Sequence, residues 1–164
     1  MRRRDPEGRE VPGFVLNEDR YRHAQILVAG DNFGCGSSSE SSVWVPVAFG
    51  IRCIVARSFA DIYRENCLKN GVLPVVLGPD AAQSFKTAVL SVDGSAPFTV
   101  DLVEQQISGA GGEWAFEVSP GERQALLEGL DPIGLSLRHK DAIAAFEKKT
   151  ADAWPWLASI ERSA

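Results

Sequence analysis

Cysteine is scarce in this sequence. There are three, Cys35, Cys53 and Cys67, an odd number with no CxxC pair. That excludes a disulfide framework and a cysteine-based zinc site. It also leaves no closely spaced thiolates to hold an iron–sulfur cluster, so neither a metal nor a cofactor is expected on this chain itself. Such usage fits a reducing compartment, and a cytoplasmic protein is expected. Long apolar runs are absent too. No stretch approaches the roughly 18 residues that a transmembrane helix requires. Histidine is limited to His23 and His139, both read as surface or capping residues. An excess of basic charge is missing as well: 17 Lys and Arg stand against 22 Asp and Glu, for a net charge of −5. This balance disfavours broad nucleic-acid binding, which works by neutralising phosphates. Arg2, Arg3 and Arg4 are followed by Asp5, Glu7 and Glu10 rather than by an apolar segment. The expectation there is a frayed, charged tail and no secretory signal.

What is present suits one globular domain with a real core: 164 residues, 45% apolar and 24% charged. Residues 1–24 are polar and read as an extended entry segment. Residues 25–148 read as the domain. Residues 149–164 read as a tail, in which Trp154, Pro155 and Trp156 pack back or form a contact patch. Within the domain, residues 25–29, 51–56 and 72–77 are short apolar runs typical of buried parallel strands. Pro74, having no N–H, argues that the third lies at an edge or a strand entry. Helices are expected between them, which makes an α/β fold with a parallel sheet. One spans Phe59–Lys69, with Phe59, Ile62, Tyr63 and Asn66 on one face and Asn70-Gly71 as its stop. A further helix covers residues 80–90, with Phe85 and Leu90 among its apolar positions. Residues 97–107 and 113–118 read as additional short strands, hairpinned through Gly109, Gly111 and Gly112. Ser119-Pro120 then opens a helix with Leu126, Leu127 and Leu130 on its apolar side. The last helix covers residues 139–148 with Ile143 and Phe146 inward.

The segment richest in chemistry runs from Gly34 to Glu40. It follows an apolar strand and is expected to open a helix. Ser37 and Glu40 have capping-box spacing, which places the helix start at Ser37 or Ser38. Ser58 and Asp61 repeat that spacing ahead of the next helix. Pro46 should bend the first helix, which ends near Phe49 and Gly50. Backbone N–H groups at such a turn converge on a carboxylate or phosphate. Ser37, Ser38 and Ser39 add hydroxyls. The segment has neither the dinucleotide fingerprint nor a Walker A loop. It is not a nucleophile elbow either. An anion-binding turn and a purely structural turn both fit these residues. Cys35 is the best placed thiol for reactivity, because a helix N-terminus favours the thiolate. A small packing residue is the plainer reading of it, and of Cys53 and Cys67.

The run Ile26-Leu27-Val28-Ala29-Gly30-Asp31-Asn32-Phe33-Gly34-Cys35-Gly36-Ser37-Ser38 resembles the signature of 3-isopropylmalate dehydratase small subunits. So do Ser58-Phe59-Ala60-Asp61-Ile62, Asn66-Cys67, Lys69-Asn70-Gly71 and Leu73-Pro74. Leu126-Leu127-Glu128-Gly129-Leu130-Asp131-Pro132-Ile133-Gly134-Leu135, His139 and Asp141-Ala142-Ile143 continue the likeness. The resemblance covers nearly the whole chain. It implies the aconitase-like swivelling β/β/α domain, with a central parallel sheet, flanking helices and additional antiparallel strands. It implies a partner, the large subunit, that holds a [4Fe–4S] cluster, and a small dicarboxylate substrate. The implied reaction moves the hydroxyl of isopropylmalate to the adjacent carbon by dehydration and rehydration, a step of leucine biosynthesis. By match to the motif, Ser37 is the catalytic base. Gly36, Ser38 and Ser39 lie in the substrate-binding turn, and Gly34, Cys35 and Glu40 complete the structural motif.

The sequence departs from the family pattern on that same turn. The family follows Gly-Ser-Ser with Arg-Glu-His-Ala, whereas here Ser39-Glu40-Ser41-Ser42 stand. A serine cannot make the bidentate, charge-assisted grip of a guanidinium on a carboxylate. The family's Asp-Thr-Asp segment lies upstream of where this sequence starts. Its absence implies an uncovered sheet edge, and with it a homo-oligomer when no large subunit is present. Two alternative readings accompany the departures. One is a catalytically impaired or regulatory paralogue. The other is the small subunit of a related dicarboxylate hydratase.

Overall fold

The computed structural model describes residues 4–156. The chain divides into two compact units, Met1–Gly129 and Leu130–Ala164. In the first, β1 (Ile26–Val28), β2 (Cys53–Ala56) and β3 (Leu73–Val76) form a parallel sheet in the order β1-β2-β3. Every residue of β2 is buried, as a central strand covered on both faces requires. Side chains alternate across it. Cys53 and Val55 join one core, while Ile54 joins the other. Pro74 does lie on an edge strand, where its missing N–H disturbs no ladder on the outer side.

One face of the sheet carries α1 (Ser41–Phe49) and α2 (Asp61–Lys69). Val43, Ile51, Ile54, Tyr63, Cys67 and Val72 form its core. The other face packs against α3 (Pro79–Val92) and a second sheet. Phe85 is the centre of that layer. Its ring meets Phe98 and Trp114 edge-on, at centroid distances of 5.4 and 5.0 Å. Such pairs add about 0.5–1.5 kcal/mol each beyond the area they bury.

The second sheet is antiparallel: β4 (Phe98–Asp101), β5 (Gln106–Gly109) and β6 (Gly112–Ala115). The stretch 97–107, read from the sequence as one strand, is a hairpin. Asp101 Oδ1 accepts the N–H groups of Val103 and Glu104 at 2.8 and 2.9 Å, and Gln105 takes φ of 54°. An aspartate that bonds the backbone just ahead of it turns the chain. The glycine hairpin at residues 109–112 forms as expected, between β5 and β6.

Five apolar residues expected on packed helix faces are exposed, Leu127 on the helix that opens at Pro120 among them. Ile62 on α2 and Leu90 on α3 are exposed. The α2 stripe runs through Tyr63, Asn66 and Cys67 instead, one position further round the helix. In the second unit, α5 (Pro132–Leu137) and α6 (Lys140–Ala153) are helices with no buried residue. Ile143 and Phe146 on α6 are exposed rather than inward. The sequence reading did not separate α5 as a helix. Its start is nonetheless chemically plain, since Asp131 Oδ1 caps the N–H of Gly134 at 2.6 Å. Trp154 and Trp156 are exposed. Residues 157–164 of the expected tail, and Arg2 and Arg3 of the expected N-terminal one, lie outside the described residues.

α4 (Pro120–Glu128) opens as expected, with Ser119 Oγ accepting from the N–H of Glu122. It is tied to α2 by a two-bond ion pair: Arg64 donates to both Glu122 oxygens at 2.7 and 2.9 Å. Those bonds hold the Glu122 carboxyl below its ordinary value of 4.5. A carboxyl depressed on folding stabilises the fold above 4.5 and loses that contribution as pH falls through the lower folded value. Glu122→Gln should therefore cost about 1 kcal/mol near neutrality, the upper range for a partly exposed pair. The cost should shrink towards zero in acid. Urea unfolding at several pH values measures this, and a pH-independent difference would assign the cost to something other than the ion pair.

Candidate active site

The turn after β1 is held from three sides. Asn32 takes φ of 48°, and its N–H donates to Ser58 Oγ at 2.7 Å. Phe33 then pairs with the chain after β2, its N–H donating to Ser58 O and its carbonyl accepting from Ala60 N–H, both at 2.9 Å. The Phe33 ring stands edge-on to Phe59 and Tyr63, with centroids 6.3 and 5.4 Å away. These contacts make Phe33 the anchor of the turn on α2 and on the segment that leads into it.

Gly34 lies directly on the Tyr63 ring. Its φ is 87°, and a Cβ placed there would come within 2.1 Å of the Tyr63 ring carbon Cγ. Only glycine meets both demands. Tyr63 is buried and its phenol is pushed up to about 12, chiefly by burial. It is a packing platform, not an acid or base near neutral pH.

From Cys35 onward the turn stands in solvent: Cys35, Gly36, Ser37, Ser38, Ser39 and Glu40 are all exposed. Ser37 Oγ accepts the N–H of Ser39 at 3.1 Å. The Ser39 and Ser41 hydroxyls lie 2.7 Å apart, and Ser39 Oγ accepts the N–H of Ser41 at 3.3 Å. Ser42 Oγ closes the turn by donating to Ser39 O at 2.7 Å. Open space surrounds Gly36.

The helix does not begin where the capping box places it. α1 starts at Ser41, with Glu40 in the N-cap position and no side-chain cap. The Glu40 carboxylate is engaged elsewhere, by Asn70 Nδ2 at 2.8 Å. A tertiary partner has taken the group that a local cap would need. Ser58 is likewise no cap for α2, whose N-cap is Ala60; its hydroxyl serves Asn32 instead. The consequence for Ser37 is chemical. Freed from the cap, its hydroxyl sits on an exposed loop with a backbone donor aimed at it. Cys35 is exposed, but it stands well before the helix start, so the helix-terminus argument for its reactivity falls away. Burial pushes the Cys53 and Cys67 thiols up to about 12 and about 11, which makes them core residues.

The structure thus brings the predicted site residues together on one turn, with Ser37 to Ser39 at its exposed crest. The sequence reading missed Asn32, Ser58 and Asn70 as supports, and placed Tyr63 only as a helix-face residue. Asn32, Ser58 and Asn70 fall in the segments that carry the family resemblance, which was the available signal. A cleft of about 490 Å³ lies beside the turn, over the C-terminal ends of β1 and β2, lined among others by Gly30, Asp31, Arg57, Phe85 and Lys86. It takes in none of Gly34–Ser39. Arg57 there is paired with Asp31 at 3.2 Å. Among the described residues no group of three or more His, Cys, Asp and Glu could hold a metal ion. No helix among them is long and apolar enough to cross a membrane.

Comparison with known proteins agrees with this architecture. Residues 2–80 match the family described as the aconitase C-terminal domain. Residues 133–160 match the C-terminal domain of the 3-isopropylmalate dehydratase small subunit. A 3-isopropylmalate dehydratase small subunit from Paramagnetospirillum magneticum is 50% identical over 152 residues, 92% of this chain and 75% of that protein. One from Roseobacter denitrificans is 47% identical over 156 residues, covering 94% of this chain and 77% of that protein. A crystal structure of 3-isopropylmalate dehydratase from Methanocaldococcus jannaschii superposes with a TM-score of 0.52 at 25% identity, over 74% of this chain and 68% of that one. On these identities and coverages, the chain belongs to the 3-isopropylmalate dehydratase small subunits of the aconitase superfamily.

Proposed function

We propose that this chain works as the small subunit of a 3-isopropylmalate dehydratase in leucine biosynthesis, paired with a large subunit that holds a [4Fe–4S] cluster, and that Ser37 is its catalytic base. The observation that carries the reading is Ser37 Oγ itself: exposed at the crest of a rigidly founded turn, with the Ser39 N–H donating to it. The reaction removes a proton from the carbon beside a carboxylate. A serine hydroxyl does this only when its alkoxide is stabilised and the site is closed to water. The Ser39 N–H supplies the first condition. The second is unmet in the chain alone, because the whole crest faces solvent, and a partner subunit supplies the cover. The cluster, when the partner brings it, supplies Lewis acidity to the leaving hydroxyl.

In this reading the chain does four things. Gly36 leaves room for the substrate to approach the backbone. Ser38 and Ser39 present hydroxyls to a substrate carboxylate. Ser37 takes the proton at Oγ and returns it on rehydration. Tyr63, Phe33 and Asn32 hold the turn still while this happens.

The expected result of reconstitution is that turnover of isopropylmalate appears only when this chain and a cluster-loaded large subunit are mixed. Spectroscopic assay of isopropylmaleate formation measures it. Turnover by this chain alone, incubated with iron and sulfide, would overturn the division of labour.

Ser39 is where carboxylate recognition is weakest. Ser39→Arg in the reconstituted complex should lower KM for isopropylmalate by about tenfold, the worth of one charge-assisted bond. An unchanged or higher KM would mean that the Ser39–Ser41 hydrogen bonds matter more to the turn than a guanidinium does.

A further inference from the structure

We propose that Asn70 is a positioning residue for the reaction, acting through Glu40 on the backbone donor that faces Ser37. This rests on the reading of Ser37 as the base. Asn70 closes the C-terminus of α2. Its backbone N–H donates to the carbonyls of Asn66 and Cys67 at 3.1 Å. The main chain by itself therefore caps the helix end. The side chain adds a second, longer-range connection. Nδ2 donates to Asn66 O at 2.8 Å and to Glu40 Oε1 at 2.8 Å, across thirty positions of sequence.

Glu40 is the residue at which the serine turn becomes helix. Its carbonyl accepts the N–H of Val43 at 2.9 Å, and its side chain makes no cap. The Asn70 bond thus fixes the junction from outside. The Ser39–Glu40 peptide adjoins that junction, and the peptide just before it, Ser38–Ser39, carries the N–H that donates to Ser37 Oγ. The path has three links: α2 holds Glu40, Glu40 ends the turn, and the turn aims Ser39 N–H at the base. Tyr63, on the same helix, holds the other end of the turn beneath Gly34. One rigid element therefore grips the loop at both ends. A donor aimed where negative charge develops gains most from such pre-organisation, since no reorientation remains to be done in the transition state.

The test uses the full chain reconstituted with its large subunit and isopropylmalate as substrate. Asn70→Asp places a carboxylate against Glu40. It should reduce kcat about tenfold with KM within about twofold, the signature of an interaction felt in the transition state only. It should also shift the acidic limb of the kcat pH profile upward, because a less well stabilised alkoxide forms at higher pH. The double variant Glu40→Gln with Asn70→Asp restores the bond between these two positions with donor and acceptor reversed, though not the bond to Asn66 O, and should recover part of the lost kcat. Glu40→Ala cuts the same bond from the exposed side, and replaces Asn70→Asp if that variant does not fold. In the free chain, the Ser39 amide proton shift should move upfield in Asn70→Asp and return in the double variant. Recovery of the amide shift together with kcat supports the proposal. No rescue by the double variant, or a wild-type kcat in both single variants, overturns it. If Ser37→Ala keeps full turnover while the amide shift still follows the swap, the base assignment has failed and the tether has not.

Discussion

Ser37→Ala is expected to lower kcat of the reconstituted complex about 10³-fold, within the range for loss of a positioned general base. Stability should hardly change. A capping serine would cost about 1 kcal/mol on removal, but Ser37 is not a cap here: α1 starts at Ser41 with Glu40 before it. Its hydroxyl is exposed and accepts one N–H that water can satisfy equally well. A change within about 0.5 kcal/mol is therefore expected, as for an ordinary surface position. The two readouts separate the readings of this turn cleanly. Kinetics and thermal unfolding of the same variant measure them. Loss of turnover at constant stability is the catalytic outcome. Full turnover would leave the turn as a structural connection between β1 and α1. Ser37→Thr keeps the hydroxyl and should keep measurable activity if the added methyl fits the open crest.

Gly34→Ala carries the second large effect, this time on the fold. At φ of 87° an L-residue is strained, which costs about 1–2 kcal/mol. The new methyl also meets the Tyr63 ring, buried and packed edge-on against Phe33. Overpacking of that kind adds about 1–3 kcal/mol. The sum is about 3 kcal/mol, or a fall in Tm of about 9 °C for a domain of this size. Gly36→Ala is the control. Open space surrounds Gly36 and its backbone is not left-handed, so its cost should stay within about 0.5 kcal/mol. Calorimetry on both variants decides. Equal losses would show that glycine content, not the Tyr63 contact, limits this turn.

The supports of the turn also show how far sequence reasoning reaches. The three parallel strands were legible because each is a short, wholly apolar run, although only β2 is buried throughout, β1 being half-buried and Val76 of β3 exposed. The first capping box was legible and wrong. Ser37 and Glu40 have the right spacing, but Asn70 holds the Glu40 carboxylate. Local spacing reports what a side chain can do with its neighbours. It is silent about a competitor thirty residues away that folding delivers to 2.8 Å. The hairpin at Asp101 failed differently. Its turn uses an aspartate side chain and Gln105 at positive φ, and no glycine or proline marks the place.

The packed face of α2 was legible to within one position. On α2 the apolar pattern treats Ile62 and Tyr63 alike, yet Tyr63 is buried and Ile62 exposed. A helical stripe is wide enough for both, and the element packed against it chooses the rotation. On α3 Phe85 was placed inside correctly and Leu90 was not. On α6 both expected inward residues are exposed. An apolar face is a property of the sequence, while its burial is a property of whatever covers it.

The sequence by itself determined the α/β class, the three parallel strands, the single turn that concentrates glycine and serine, and the family to which those motifs belong. These follow from local pattern: runs, spacings and residue types that act over a few positions. Only the tertiary structure decided which hydroxyl is free of the helix cap, which glycine sits on an aromatic ring, and which distant amide grips the end of the turn. Those depend on contacts between segments far apart in the chain. Folding sets them by the competition among all available partners, and no short stretch of sequence contains that competition.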